Sequence, residues 1–214
     1  ARLIPQSFYY FEAYKQVQHL GKPVVFSIPS GNFGNLTAGL FAKKMGLPIH
    51  KFIAATNAND VVPKYLKSGT FTPTPSVATL SNAMDVGNPS NFARMLDIYG
   101  AEWAAMKGDI QGYGYTDDET EKAVKEVYET YNYVIDPHGA VGYLALRAYQ
   151  KDVDCAGVIL ETAHPTKFLP DMERILEQNI EVPQRLAALK HKEKQSVRQG
   201  SHFEEFKSWL LDNY

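Results

Sequence analysis

Three apolar runs too short for helices punctuate the chain. They are Pro23-Val24-Val25-Phe26-Ser27-Ile28, the stretch 49–55, and Ala156-Gly157-Val158-Ile159-Leu160. Each length and β-branched content predicts a buried strand. Between them, apolar residues recur at helical spacing. Residues 4–19 predict a helix with Pro5 in its first turn and Gly21 as its stop. Phe8, Tyr9, Tyr10, Phe11 and Tyr14 give it an aromatic face expected in the core. Further helices are expected over 36–45, closed by Gly46, and over 61–68, capped by Asn59-Asp60 and closed by Gly69. Asn88 and Pro89 are expected to open another, with Phe92, Met95, Leu96 and Tyr99 inward. Thr116-Asp117-Asp118-Glu119 is a capping box ahead of Val124, Val127, Tyr128 and Tyr131. Asp136-Pro137-His138-Gly139 turns into a helix, and 168–178 forms one more. Residues of about 185–214 read as a C-terminal helical extension, with Phe203, Phe206, Trp209 and Leu210 packing back on the body. Strand and helix in alternation predict an α/β fold: a mostly parallel sheet flanked by helices, with helices at the C-terminus.

In such sheets ligands bind at the carboxyl ends of the strands. Three segments fall there. The first is Ser30-Gly31-Asn32-Phe33-Gly34-Asn35, between a strand and a helix start. The first N–H groups of a helix lack intrahelical partners, so this loop is a candidate phosphate cradle. Gly31 and Gly34 are expected to supply positive φ and close backbone approach, and Asn32 and Asn35 tolerate left-handed backbone. The loop fits neither the G-x-G-x-x-G dinucleotide fingerprint nor the G-K-[ST] ending of a triphosphate loop. The others are Thr56–Asp60 and Glu161-Thr162-Ala163-His164-Pro165. Residues 70–90, rich in proline and small polar residues, predict a long binding loop or lid.

Composition narrows the class. The 214 residues carry a formal net charge of −2, which gives no basic field for nucleic acid. Lys190-His191-Lys192-Glu193-Lys194 with Arg198 reads as a solvated face. No apolar run approaches the ~20 residues of a membrane helix. The one cysteine, Cys155, suits a reducing compartment and reads as a small buried residue. The opening Ala1-Arg2-Leu3-Ile4 reads as mid-protein sequence, so a piece of a longer chain is expected.

Catalytic constellations are missing from the pattern. His138 and His164 have no second ligand at metal-binding spacing, so no metal site is expected. There is no G-x-S-x-G elbow. A phosphate cradle without an evident acid, base or nucleophile suits a cofactor that carries its own chemistry, such as pyridoxal phosphate.

Ser30–Asn35 resembles the phosphate loop of fold-type-II pyridoxal-phosphate enzymes. The resemblance extends to the C-terminal half of the threonine synthase family through Ala1-Arg2-Leu3 with Pro5-Gln6, Ala55–Asp60, Thr79–Gly87, Asp136-Pro137-His138 and Thr162-Ala163-His164-Pro165. It implies the large-domain part of a fold-type-II catalytic domain over 1–214, with pyridoxal 5'-phosphate as cofactor. The family converts O-phospho-L-homoserine and water into L-threonine and phosphate in the cytoplasm. By position, Gly31, Asn32, Phe33, Gly34 and Asn35, with Ser30, would hold the cofactor phosphate. Thr162 would meet the pyridine nitrogen. Arg2, Ser90 and Asn91 are candidate substrate residues. The family's Schiff-base lysine belongs to a segment upstream of residue 1, in the missing N-terminal part. Lys22 sits at the wrong strand end and Lys167 fits a helix first turn. No catalytic residue is therefore assigned within 1–214, and the chain alone is expected to be inactive. The alternatives are a non-catalytic α/β phosphate-ligand-binding domain, or another fold-type-II enzyme such as a threonine dehydratase.

Overall fold

The computed structural model describes residues 2–189, 192–193 and 195–214. Most of the basic run around Lys190, His191 and Lys194 lies outside the described residues. Two compact units divide at residue 180. In the first, the elements run in order α1 (Leu3–Val17), β1 (Val24–Pro29), α2 (Gly34–Lys44), β2 (Lys51–Thr56) and α3 (Val61–Ser68). Then come α4 (Phe92–Ile98), α5 (Trp103–Asp109), β3 (Ile110–Gly114), α6 (Asp117–Tyr131), α7 (Pro137–Gln150), β4 (Ala156–Ile159) and α8 (Leu169–Leu176). The second unit, 181–214, contains α9 (Gln184–Ala187) and α10 (Phe203–Asn213).

The sheet has four parallel strands in the order β3-β2-β1-β4. Strand side chains alternate between faces, and the core divides accordingly. Val24, Phe26 and Ile28 of β1 join Phe52 and Ala54 of β2 in a core built with α1 to α5. Val25, Ile53 and Ala55 face the other way, against Val141, Ala145 and Leu146 of α7. A third apolar cluster packs α6 and α8 against the outer side of α7. The chain leaves β1 over one face and reaches β4 over the other. The crevice between β1 and β4 is therefore the switch point at which such sheets bind ligands.

Several elements differ from expectation for identifiable reasons. β3 carries two glycines and an alternating burial pattern at the sheet edge, so it lacks the apolar run that marks the other strands. α4 begins at Phe92, not after Asn88: Pro89 O accepts from Phe92 N, and no side chain caps the helix. Asp60 stands at the N-cap of α3, but its carboxylate pairs with Lys64 at 2.8 Å instead of capping. On α1 only Tyr10 of the aromatic face is fully buried. Ile4, Phe8 and Phe11 are 59, 63 and 38% exposed, because Tyr10 alone points at the sheet. Within the second unit, taken by itself, Phe203, Phe206 and Leu210 of α10 are exposed.

Tyr10 fastens α1 to α2. Its ring lies against Phe26 and Phe52, and its hydroxyl donates to Asn35 O at 2.7 Å. The fit requires Gly39, where a Cβ would come within 2.6 Å of the Tyr10 ring and 2.8 Å of Phe52. Gly39→Ala gains helix propensity of ~1 kcal/mol. Overpacking costs about 1–3 kcal/mol and is expected to win. Gly108→Ala in α5 meets nothing within 4 Å. Urea denaturation of the two variants should therefore move in opposite directions.

Candidate active site

The cleft at the switch point has a volume of about 880 Å³. It is lined by the 30–35 loop, by Arg2, Gln6 and Tyr9 of the α1 end, by Met84, Ser90, Asn91 and Arg94, and by His138, Glu161, Thr162 and Lys167. All the residues singled out as site candidates thus meet in one place. Arg94 joins them without having been expected, while Met84 and Glu161 come from the expected binding loop and strand-end segment without having been named as site residues. Arg94 lies one helical turn after Asn91, so neighbourhood was the one signal for it.

The loop closes on itself. Ser30 Oγ donates to Asn35 Oδ1 at 2.6 Å and accepts from Phe33 N at 3.0 Å. Asn35 Nδ2 returns to Pro29 O at 2.9 Å. The left-handed residue is Phe33, with φ 59°, and neither Gly31 nor Gly34 has positive φ. Phe33 is fixed by burial of its ring, which is 1% exposed. Gly31 is needed for another reason: a Cβ there would lie 2.6 Å from Met84 Cα. With the Phe33 N–H engaged, the N–H groups of Gly31, Asn32, Gly34 and Asn35 find no acceptor among the described residues. Four donors at the start of α2 with the helix dipole behind them suit a doubly charged oxyanion.

The loop is braced from outside. Asn32 Oδ1 accepts from Ser90 N and Oγ at 2.6 and 3.0 Å, and Asn91 Nδ2 donates to Asn32 O at 2.9 Å. Met84, whose backbone meets Gly31, belongs to a segment held by a buried polar network. Asp85 accepts from Thr79 N and Oγ1, from Asn57 Nδ2 at 2.9 Å and from Asn59 Nδ2 at 3.3 Å. Asn59 also exchanges bonds with Val77 N and O. The asparagines after β2 therefore serve to pin the long loop, not to cap α3.

On the other wall, Asp136 and His138 are buried at the start of α7. Asp136 Oδ1 accepts from His138 N at 2.9 Å and lies 2.7 Å from His138 Nδ1. Thr162 is exposed at the exit of β4, the strand paired to β1. The Glu161 pKa is pushed up to about 8 by burial of its carboxyl end and by the neighbouring Asp136. Burial also holds the Tyr9 hydroxyl at about 12, so it stays neutral. Lys167 is exposed, with Nζ 5.3 Å from the Phe168 ring centre. Lys22 pairs with Asp154 at 2.7 Å beyond the opposite end of β1, and the buried Cys155 also lies there, its thiol pKa raised by burial. Neither takes part in the cleft.

Asp85→Ala takes the acceptor from Thr79 N and Oγ1 and removes one partner each from the Asn57 and Asn59 amides. A loss of about 1–3 kcal/mol in urea unfolding is expected. Asp97→Ala, on the exposed side of α4, should stay within about 0.5 kcal/mol.

Residues 4–160 match the family model described as pyridoxal-phosphate dependent enzyme, and residues 139–209 match threonine synthase, C-terminal. Threonine synthase of Haemophilus influenzae is 42% identical over 212 residues, covering 99% of this chain and 49% of the relative. The crystal structure of threonine synthase from Escherichia coli superposes with a TM-score of 0.87 at 38% identity, over 100% of this chain and 49% of that one. A pyridoxal-phosphate-bound threonine synthase from Brucella melitensis gives 0.84 at 28% identity, over 99% and 50%. The chain spans about half the length of the curated relatives it matches. With a match over well more than half of its residues, the chain belongs to the family of pyridoxal-phosphate dependent enzymes.

Proposed function

We propose that the chain is the phosphate-cradle part of a threonine synthase. The full enzyme would convert O-phospho-L-homoserine and water into L-threonine and phosphate with pyridoxal 5'-phosphate. The observation that carries this reading is the set of four acceptor-free N–H groups at the β1–β4 switch point. They fit the cofactor's phosphate: the donors are fixed, and the loop's own side chains satisfy one another rather than filling the cradle. When bound, the cofactor supplies an electron sink for the substrate α-carbon.

The chain's residues then divide the work. Gly31, Asn32, Gly34 and Asn35 donate to the phosphate through the backbone. Ser30 and Phe33 set the loop's shape. Thr162 offers a neutral hydroxyl to the pyridine nitrogen. Ser90 and Asn91 brace Asn32, which leaves the guanidinium groups of Arg2 and Arg94 to meet the substrate's carboxylate or phosphate. In this reading the lysine that carries the cofactor and moves protons at the substrate lies outside residues 1–214. The exposed stripe of Ile4, Phe8 and Phe11, at helical spacing on α1, is where further chain of the same enzyme would pack. The reading places the enzyme in the cytoplasm, away from nucleic acid and membranes. Among the described residues no helix is long and apolar enough to cross a membrane.

The decisive assay is phosphate release from O-phospho-L-homoserine, with pyridoxal phosphate present, by the chain extended upstream to its natural start. Release matched by threonine is expected there, and none from residues 1–214. A folded extended chain that releases nothing would make this a binding domain. Two glycine variants of the extended chain localise the phosphate. Gly31→Ala forces the loop off Met84 and should weaken cofactor binding by on the order of tenfold or more. At Gly34 a Cβ finds its nearest neighbour at 3.5 Å, so Gly34→Ala should fold normally. A loss of cofactor affinity in Gly34→Ala without loss of stability would report a ligand seated directly over the helix start.

A further inference from the structure

Among the described residues, two buried polar atoms beside the cleft find no hydrogen-bond partner: Asp136 Oδ2 and His138 Nε2. Asp136 is fully buried, so an acceptor oxygen without a donor is costly there. The adjacent donor candidate is Glu161. As a residue Glu161 is exposed, yet its carboxyl end packs over the first turn of α7. A Cβ on Gly139 would collide with the Glu161 carboxyl oxygens, so glycine at 139 makes the space that carboxyl occupies. Two ionised carboxylates in contact repel. A proton between them removes the repulsion and gives Asp136 Oδ2 its missing donor. The start of α7 favours the negative charge on Asp136, which already accepts two bonds there, so the proton resides on Glu161.

We propose that Glu161 is a positioning residue: its carboxyl proton, shared with Asp136 Oδ2, latches the exit segment of β4 to the start of α7 and so fixes Thr162. The role given to the latch rests on the reading of Thr162 as the contact for the cofactor's pyridine nitrogen. Glu161 and Thr162 are adjacent, so movement of one carboxyl carries the other's backbone. Other titratable groups share this corner. Tyr133 and Asp136 come from the segment entering α7, and the burial-raised Tyr133 hydroxyl stays neutral with both carboxyls nearby. His138 comes from the first turn of α7, its ring 5.0 Å from that of Phe168. His164, bonded to Thr166 Oγ1, and Lys167 come from the turn after β4. Lys167 is directed over Phe168, and apart from Asp136 none of these groups bonds to Glu161 among the described residues. When Glu161 releases its proton to solvent, it faces Asp136 as a second anion and the latch opens.

The linkage has a definite sign. The Glu161 pKa is raised from 4.5 to about 8, so the folded chain holds a proton that the unfolded chain releases. This contribution to stability is complete below 4.5 and is lost as pH rises to about 8.

The test is a pH titration of the full chain by NMR, following the Glu161 side-chain carboxyl carbon and the Thr162 amide. Glu161 is expected to titrate several units above an ordinary glutamate, and the Thr162 amide to move with the same midpoint. In Glu161→Gln the amide group can still donate to Asp136 Oδ2, so the Thr162 transition should vanish while its low-pH position remains. In Glu161→Ala, Thr162 should sit at its high-pH position throughout. A Glu161 carboxyl that titrates in the ordinary range, or a Thr162 amide indifferent to it, overturns the proposal. Pyridoxal phosphate affinity, measured by fluorescence at matched pH, separates the two layers. Several-fold weaker binding by the native chain than by Glu161→Gln above pH 8 supports the latch and the role of Thr162 together. Coupled titration of Glu161 and Thr162 with equal affinities supports the latch and overturns the assignment of Thr162 to the cofactor.

Discussion

Everything at the cleft depends on backbone N–H groups that the protein leaves without acceptors where α2 begins. A helix start always has such donors, but a short polar loop could satisfy them internally. Here the loop satisfies everything except them. Ser30 and Asn35 bond to each other, Asn35 returns to Pro29, and their side chains take the N–H groups of Phe33 and Leu36 alone. Shaping the loop this way places Phe33 in left-handed backbone, a strain of order 1–3 kcal/mol for a bulky residue. Full burial of its ring returns about 1.5–3 kcal/mol. The two nearly cancel, so the loop is held by its context and cannot be treated as a transferable motif.

That context comes from three directions. Tyr10 holds the carbonyl of Asn35 from α1, Ser90 and Asn91 hold Asn32 ahead of α4, and the backbone of Met84 fills the groove beside Gly31. The Met84 segment is in turn anchored on Asn57 and Asn59 at the end of β2, the strand next to β1. The long irregular stretch between α3 and α4 therefore works as a brace. Its tip is tied to the sheet by charge-assisted hydrogen bonds to Asp85, which are stronger than neutral ones. Stacking of Phe71 on Phe92 at 3.8 Å ties down its beginning.

The fold was legible wherever burial on both faces produced continuous apolar runs. β1 and β2 announce themselves in this way, the edge strand β4 keeps a short apolar run although most of it is only half-buried, and parallel pairing follows from the helices between them. β3 was hidden because it buries alternate residues, and glycines at 112 and 114 remove the side chains that would mark it. The latter glycine would bring a Cβ within 2.9 Å of Asp60. The site was legible through its glycines and asparagines, but their roles were not. Positive φ fell on Phe33 because tertiary packing overrode local preference, and Gly31 answers to Met84, 53 positions along the chain. Glu161 fell in a segment expected at the ligand edge, but its pairing was hidden for a related reason. A glutamate at a strand end looks like solvent-facing charge until the fold sets its carboxyl beside Asp136.

The cleft separates two kinds of anion recognition by their physics. The loop at α2 uses neutral backbone dipoles fixed by the fold, which need no reorganisation and lose no side-chain entropy on binding. Arg2, Arg94 and Lys167 are exposed, and their fields are screened over a Debye length of about 8 Å at physiological ionic strength. Arg94 is loosely tethered by a single bond to Asn91 at 3.2 Å. A group that must stay through many turnovers is best held by the rigid donors. An anion that must enter and leave is best met by long cationic side chains, whose attraction speeds encounter and costs little to break. In the proposed reading, this division would put a permanent phosphate on the loop and a transient one toward the arginines. The same reading would account for the convergence of the braces on the loop: a cofactor held there would need precision, and mobility would be an advantage where a substrate passed.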